Sequence, residues 1–446
     1  MRRSAVVLIL LLFAPLAAQA QGRPLSLDEA ISAGLEASPA LHAARMRADA
    51  SAARALEMAA GRLPSVKLGA GYTRLSEVPP FEVTLPISPT PIVVSESYFN
   101  SWSLRLSVQQ PLFTGFRLEA GTESARMLER SAGQDLEKDR SEFIFAVKSA
   151  YWGLVRAREF DAVVGENVRQ VREHLKDVRA FFDQGLLTRN EVLRTELQLS
   201  NAELLAIDAR NAAEVARTSL NTLIGLSVET DLELTTSVES LASRAPDEGA
   251  GEDPLAARSL IDRALATRPE LKSAEFRIKA SEAGLKAARA GFYPQVALAG
   301  NVYGLRPNPR IMPARDVLYG TWDVGVAVSF DIWNWGQTKS QAEQAKAQLA
   351  QARDARKLLE DQAVLDVLQS RLALAQARDK ITVAAVAVGQ AEENLRTVRE
   401  MFRQGVALNA DVMDAEVFLL QAKLSRTQAA IDLALAQARL EKALGS

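Results

Sequence analysis

The same succession of motifs occurs twice in this sequence, and the duplication limits the folds that the chain can adopt. Leu-Pro-Ser-Val at residues 63–66 returns as Tyr-Pro-Gln-Val at 293–296. Phe-Asp-Gln-Gly at 182–185 returns as Phe-Arg-Gln-Gly at 402–405. Because an internal repeat of this kind indicates a copied structural unit, the two halves of the chain are expected to fold alike.

The first copy contains an insertion that the second copy lacks. It lies between the two motifs of the first half and is rich in proline, with Pro79, Pro80, Pro86, Pro89 and Pro91. Prolines this dense predict a surface loop.

Two long stretches of the chain contain no proline. None occurs between Pro111 and Pro246, and none follows Pro313. Both stretches are rich in Ala, Leu, Glu, Gln, Lys and Arg, which favour helix. Neither contains a proline, whose missing backbone N–H would interrupt a helix. We predict a helix from about 336 to 403, roughly 100 Å long at 1.5 Å per residue, and its equivalent in the first half.

A glycine-containing turn follows each long helix. The turns lie at residues 184–186 and 404–406, and shorter return helices then run to Gly225 and Gly445. Glycine is the usual residue just past a helix end, so two helical hairpins are predicted. Single shorter helices, at about 26–62 and 259–290, are predicted before the strands of each half.

Segments with a period of two lie between the short and the long helices. Around Trp102 and Trp322 apolar residues alternate with polar ones, and weaker alternation begins at Val66 and Val296. This pattern predicts strands with one apolar face. Each half thus provides a hairpin of strands about ten residues long, enough to cross a membrane as tilted barrel strands. The two tryptophans fit either an aromatic girdle or core packing.

The first residues predict export from the cytoplasm. Arg2 and Arg3 precede an apolar run at 5–16 and small residues at 18–20, the pattern of a secretory signal peptide, with a signal anchor as the alternative. The chain has no cysteine, so neither a lipid on cysteine nor a disulfide is expected. A net charge of −2 argues against nucleic acid as a partner.

Catalytic function finds no support in the sequence. His42 and His174 are the only histidines, cysteine is absent, and no glycine-rich phosphate loop follows a strand. No metal cluster, cofactor site or nucleophilic triad can be assembled from these residues, and His174 is expected to be solvated or packed.

Only the strands are candidates for crossing a membrane. Beyond the signal peptide no apolar run approaches eighteen residues, which excludes a helical span. Four strands cannot close a barrel alone, because the smallest bacterial barrels have about eight, so several chains would have to contribute. The alternative is a soluble sheet that caps a secreted coiled-coil rod or adhesin, because half-buried soluble strands alternate in the same way.

Three motifs and their order carry a family resemblance. Pro-Leu-Phe-Thr-Gly at 111–115, Phe-Asp-Gln-Gly-Leu at 182–186 and Phe-Arg-Gln-Gly-Val at 402–406, within the duplicated order of elements, resemble the TolC family of outer-membrane efflux proteins. The resemblance implies a homotrimer, a twelve-stranded barrel with four strands from each chain, and a helical tunnel in the periplasm. It also implies a periplasmic adaptor protein and an inner-membrane transporter as partners.

Acidic residues just past the hairpin turns narrow the periplasmic entrance in that family. Asp-Val-Met-Asp-Ala at 411–415 matches the family's Asp-Val-Leu-Asp-Ala, and Glu191 is the corresponding acid of the first half. The resemblance therefore implies an aperture lined by Glu191, Asp411 and Asp414, where symmetric rings of acids would attract cations. Helix capping and the helix dipole explain acids in a first turn equally well.

The turn residues Gly185, Leu186, Gly405 and Val406 resemble the tips where adaptor hairpins meet the channel, although they also serve as plain helix-ending signals. Where some family members close the entrance with a tyrosine and an arginine, this chain has Phe402 and Ala407. Any closing network must therefore differ, and Arg189 and Arg194 are the candidate substitutes.

The sequence as a whole predicts a mixed α and β fold, the internally duplicated fold of an outer-membrane efflux channel. The predicted parts are a signal peptide at 1–20, a first repeat at 21–226 with a β-hairpin at about 66–112, a linker at 227–256 with at most a short strand near 232–234, and a second repeat at 257–446 with a β-hairpin at about 295–332.

Overall fold

The computed structural model describes residues 23–84, 86–87, 90–236 and 254–445. The predicted signal peptide and part of the predicted linker lie outside these residues. The first part of the chain forms β1 (Arg23–Leu25), α1 (Leu27–Ala37), α2 (Pro39–Ala60), β2 (Ser65–Arg74), β3 (Phe81–Val83), β4 (Ile92–Ser95), β5 (Asn100–Phe113), α3 (Arg117–Asp183), α4 (Arg189–Leu223) and β6 (Leu232–Leu234). The second part forms α5 (Pro254–Thr267), α6 (Pro269–Ala288), β7 (Gln295–Arg306), β8 (Tyr319–Ser329), α7 (Gln337–Arg403) and α8 (Asn409–Ala443).

The long helices confirm the prediction made from the proline-free stretches. α3 and α7 each contain 67 residues, and the return helices α4 and α8 each contain 35. Equal lengths in the two halves are expected from a duplicated unit. Within the described part of the chain, no helix carries an apolar stretch of the length needed to cross a membrane.

The prediction of one short helix at 26–62 and one at 259–290 is wrong. Each is two helices, since α2 begins at Pro39 and α6 begins at Pro269. The residue before each proline has left the helical region, with ψ of 117° at Ser38 and 124° at Arg268. The proline ring disfavours helical geometry in the preceding residue, which accounts for both breaks.

The strands of both repeats join in one antiparallel sheet, in the order β2-β5-β7-β8. Pairing of β5 with β7 connects the hairpin of the first half to that of the second. The register confirms the alternation read from the sequence, because Leu68 lies opposite Leu106 and Asn301 lies opposite Asp323. Within the chain, β2 and β8 are the edge strands of this sheet.

One face of the sheet is apolar and exposed. Its large side chains are Val66, Leu68, Tyr72, Trp102, Leu104, Leu106, Val108, Val302, Trp322, Val324, Val326 and Val328. Exposure of so many large apolar side chains on one surface marks a site of contact with lipid or another protein.

Two short pairings lie outside this sheet. The proline-rich insertion contains the antiparallel pair β3 and β4, so its prediction as a plain loop was incomplete. The predicted short strand at 232–234 is confirmed as β6, which pairs in parallel with β1.

The described residues fall into two compact units. One contains the sheet and is drawn from His42–Asp139 and Leu265–Val364. The other is drawn from the described parts of Met1–Leu41, Arg140–Ala264 and Leu365–Ser446 and contains the helical hairpin turns. In this helical unit Tyr151 and Leu154 are fully buried in a core that also contains Trp152.

Candidate aperture at the helical hairpin turns

The turn after α3 has the hydrogen bonds of a helix-terminating motif. This motif needs one residue in the left-handed backbone conformation. Gly185 has a φ of +77°. Its N–H donates to the carbonyl of Phe182 over 2.9 Å, and the N–H of Leu186 donates to the carbonyl of Phe181 over 2.9 Å. These two bonds satisfy carbonyls that the helix end leaves free. The Leu186 side chain is 67% exposed beside this turn.

The turn after α7 repeats this geometry. Gly405 has a φ of +76°, and its N–H donates to the carbonyl of Phe402 over 2.9 Å. The N–H of Val406 donates to the carbonyl of Met401 over the same distance. Val406 is 66% exposed, so both turns present one apolar side chain to their surroundings.

Phe402 lies inside the helical unit rather than on its surface. The ring is buried and makes edge contacts with Phe181 at 5.4 Å and His174 at 5.2 Å between ring centres. Its core also contains Val178 and Val412, from the first and second hairpins. The phenylalanine therefore stabilises the packing of the four helices behind the turns.

Glu191 faces the second hairpin from the first turn of α4. One carboxylate oxygen accepts a hydrogen bond of 2.8 Å from the side-chain amide of Asn409, which opens α8. The same amide lies 3.2 Å from the hydroxyl of Thr195. Arg194 approaches the other oxygen of Glu191 at 4.0 Å. The first predicted acid is thus tied to the start of the return helix of the second half.

Asn409 also reaches α3 through a buried histidine. Its side-chain oxygen lies 2.7 Å from Nε2 of His174, which is 4% exposed. Because the Asn409 amide nitrogen donates to Glu191 and Thr195, its oxygen faces the ring and the His174 Nε2–H donates. Burial lowers the pKa of His174, although the bond to Asn409 acts in the opposite direction.

Asp411 and Asp414 have different surroundings. Asp411 accepts a hydrogen bond of 2.8 Å from the backbone N–H of Leu408 and so caps the start of its own helix. Asp414 is exposed, and within the described ranges its carboxylate has neither a hydrogen bond nor an ion pair. The structure therefore brings Glu191 against the second hairpin and leaves Asp414 free to meet a solute or another chain.

A second polar contact lies one layer deeper between the hairpins. Arg399 of α7 pairs with Glu416 of α8 at 2.7 Å, and the Glu416 side chain is 0% exposed. Gln198 of α4 donates to the other carboxylate oxygen over 3.2 Å. Burial raises the pKa of Glu416, while Arg399 opposes that rise. The ion pair thus lies within the second hairpin, at a site where charge is costly, and the hydrogen bond from Gln198 connects it to the first hairpin.

Exposed ion pairs surround these buried contacts. Arg403 contacts Asp177 at 3.1 Å and joins α7 to α3, while Arg179 contacts Glu196 at 2.7 Å and joins α3 to α4. Exposed pairs of this kind add little stability. Among the described residues no group of three or more His, Cys, Asp or Glu is arranged to hold a metal ion.

The sequence did not predict that Asn409, His174 and Glu416 make polar contacts between the two hairpins. Asparagine at a helix start is explained locally by capping, and His174 was expected to be solvated or packed. The one signal in the sequence is a histidine within a charged motif, Arg-Glu-His-Leu at 172–175. A histidine there would need a polar partner if it were buried, but nothing in the sequence identifies that partner. The two repeats have also diverged here, because the equivalent acids Glu191 and Asp411 have different partners.

Four strands in one sheet, two long helical hairpins and an acidic turn region are the features of an outer-membrane exit channel. The sequence profile of the outer membrane efflux protein family matches residues 30–226 and 260–446. The chain belongs to this family, whose members are channels. The predicted duplicated channel fold and the location in the outer membrane, with the helical tunnel in the periplasm, are confirmed, whereas the trimeric barrel stays a prediction.

Curated relatives include proteins of efflux and of secretion. The outer membrane efflux protein BepC of Brucella suis is 23% identical over 350 residues, which cover 78% of this chain and 73% of that protein. The alkaline protease secretion protein AprF of Pseudomonas aeruginosa is 26% identical over 352 residues, which cover 77% of this chain and 69% of that protein.

Solved structures share the fold. The CmeC outer membrane channel of Campylobacter jejuni superposes with a TM-score of 0.80 at 17% sequence identity, covering 94% of this chain and 85% of that one. At this identity the likeness concerns the fold.

Proposed function

We propose that this chain assembles as a homotrimer and serves as the outer-membrane exit duct of a tripartite efflux or type I secretion system. The observation that supports the proposal best is the sheet β2-β5-β7-β8, which has two unpaired edges and an exposed apolar face. Unpaired strand edges are not viable in lipid, because each unsatisfied group costs several kcal/mol. Three copies supply twelve strands and remove every edge.

The duct carries solutes passively, and its direction and cargo are set by its partners. A periplasmic adaptor contacts the turn residues Gly185, Leu186, Gly405 and Val406, and an inner-membrane transporter supplies the cargo. A groove of about 620 Å³ beside the turns, lined by Phe181, Leu187 and Leu408 among others, offers apolar surface for an adaptor segment.

Glu191, Asp411 and Asp414 narrow the periplasmic entrance in this proposal. Asp414 contributes most to the field there, because its exposed carboxylate is unpaired among the described residues, whereas Glu191 is held by Asn409. Arg194, beside Glu191, is the better placed of the two arginines considered for a closing network.

The experiment that tests the duct is isolation of the outer-membrane fraction followed by planar-bilayer recording. Heat-modifiable trimers that form pores are expected. A soluble trimer without conductance would instead support the secreted rod. Replacing Asp411 and Asp414 by Asn should lower the preference for cations, and unchanged conductance and selectivity would count against the acidic ring. Cross-linking from position 186 or 406 to a co-expressed adaptor tests the tip contact.

A further inference from the structure

We propose that Lys67 and Arg105 form an anion-binding site on the polar face of the sheet, where the duct binds carboxylate or phosphate groups of its cargo, in contrast to the cation-attracting acids at the turns. The inference rests on the proposed function, because this face lines a pore only when several chains close a barrel. The site lies in the sheet unit and shares no residue with the acidic turns.

The polar face of the sheet has more positively charged than negatively charged side chains. The four strands contain five charged side chains, which are Lys67, Arg74, Arg105, Arg306 and Asp323. Successive side chains point to opposite faces, so Arg74 and Arg306 share the apolar face with Trp102. Lys67, Arg105 and Asp323 share the polar face. The carboxylate of Asp323 is the only negative charge that the four strands place there.

The carboxylate of Asp323 is already paired with another cation. Arg310, in the connection between β7 and β8, donates to one oxygen of Asp323 over 3.1 Å and to the carbonyl of Trp322 over 3.0 Å. The other oxygen of Asp323 accepts from the side-chain amide of Asn301 over 2.7 Å. Asp323 therefore neutralises Arg310.

A neutral amide holds Arg105 in position without cancelling its charge. Nε and Nη2 of Arg105 donate to the side-chain oxygen of Asn301 over 3.2 and 2.9 Å. The guanidinium also lies 5.4 Å from the ring centre of Tyr303, a contact that restricts its orientation. Within the described ranges, Nη1 of Arg105 has no hydrogen-bond partner. The guanidinium is oriented, exposed and still charged.

Open space separates Arg105 from the second cation. Gly69 lies directly opposite Arg105, and Lys67 is the diagonal neighbour, whose Cβ is expected roughly 7 Å from that of Arg105. A Cβ added at Gly69 would meet no atom within 4 Å. Lys67 is exposed and, among the described residues, makes no ion pair.

This arrangement suits an oxyanion. A guanidinium edge offers parallel N–H donors that match a carboxylate or phosphate, and an ammonium adds a second charge that can move to meet it. An anion above Gly69 would also relieve the repulsion between the two cations. In a closed assembly, copies of the pair would surround one lumen and raise the local concentration of anions.

The test is the reversal potential of the full-length channel in planar bilayers under a KCl gradient. The double variant Lys67→Gln/Arg105→Gln should raise the permeability of K⁺ relative to Cl⁻ by roughly two-fold or more. Arg74→Gln is the matched control, because it removes one cation of β2 from the apolar face and should leave the reversal potential unchanged. Citrate added to one side should reduce the single-channel current of the wild type and of the control far more than that of the double variant.

Arg105 holds Asn301, so its replacement can impair assembly. Lys67→Gln removes a charge without removing a described hydrogen bond and should shift the reversal potential in the same direction by a smaller amount. An unchanged reversal potential and unchanged citrate block in these variants would overturn the anion site while leaving the duct intact. A wild type that forms no pores would overturn the duct, and the site with it.

Discussion

At the scale of single residues, the helical unit depends on a few polar side chains that connect its two hairpins. Asn409 contacts α3 through His174 and α4 through Glu191 and Thr195. Glu416 connects α7 with α4 through Arg399 and Gln198. Buried polar groups are costly unless all are satisfied, so these contacts favour one relative arrangement of the hairpins over others.

Asn409→Ala should destabilise the helical unit by about 1–3 kcal/mol, because the buried Nε2–H of His174 would lose its partner. The midpoint of thermal unfolding, followed by circular dichroism of the purified protein in detergent, measures the loss. Asn190→Ala is the control, since this exposed asparagine lies in the first turn of α4 and its replacement should change stability little. Equal effects of the two variants would contradict a connecting role for Asn409.

Glu416 should give the protein a pH-dependent stability. Burial raises its folded pKa above the ordinary value of 4.5, so the folded protein binds a proton that the unfolded chain does not in the window just above that value. The resulting stabilisation is complete below 4.5 and is lost as the pH rises through the folded pKa. The melting temperature of the wild type relative to Glu416→Gln should therefore increase as the pH falls from about 7 to about 5.

The control for this prediction is Glu173→Gln, because Glu173 pairs with Lys176 on an exposed surface. Its melting temperature should follow that of the wild type across the same pH series. A constant difference between the wild type and Glu416→Gln would contradict the prediction, because it would show that no proton is taken up by folded Glu416 across this pH range.

At the scale of elements, the sequence predicted what short-range chemistry determines. Proline-free stretches gave α3 and α7, alternation gave the four strands, and Gly185 and Gly405 gave the turns. The breaks at Pro39 and Pro269 have a signal in the sequence, the prolines themselves, but the helix-favouring composition on both sides of each proline predicts one continuous helix. The pair β3 and β4 was missed because its prolines indicate a loop. The contact between Glu191 and Asn409 depends on packing of distant segments, which no local pattern encodes.

The same substitution should have opposite effects in a turn and in a helix. Gly185 has a φ of +77°, so Gly185→Ala should cost about 1 kcal/mol of stability. Gly389 lies inside α7, where an added Cβ meets nothing within 4 Å, and Gly389→Ala should stabilise by about 0.5–1 kcal/mol. Unfolding midpoints of the two variants in one denaturant series compare them directly. Shifts in the same direction would be inconsistent with the turn geometry.

At the scale of the whole molecule, the proposed trimer turns the apolar face of the sheet to lipid and the polar face to the lumen. Val326 and Ala327 are neighbours in β8 that point to opposite faces. Val326→Arg should place a charge in lipid, at a cost of roughly 2–4 kcal/mol near the bilayer centre, and reduce assembly in the outer membrane. Ala327→Arg should assemble normally. The amount of heat-modifiable oligomer in that fraction is the measurement, and equal amounts would refute the assignment of faces.

The sheet's two free edges have a consequence for inheritance. In the proposed trimer each copy pairs β2 with one neighbour and β8 with the other, so a single faulty edge leaves the whole ring open. When a defective allele is expressed equally with the normal one, random mixing into trimers leaves only roughly one ring in eight entirely normal. A lesion in an edge strand should therefore act dominantly in a cell that carries both alleles, whereas a lesion that prevents the chain from folding at all should be recessive.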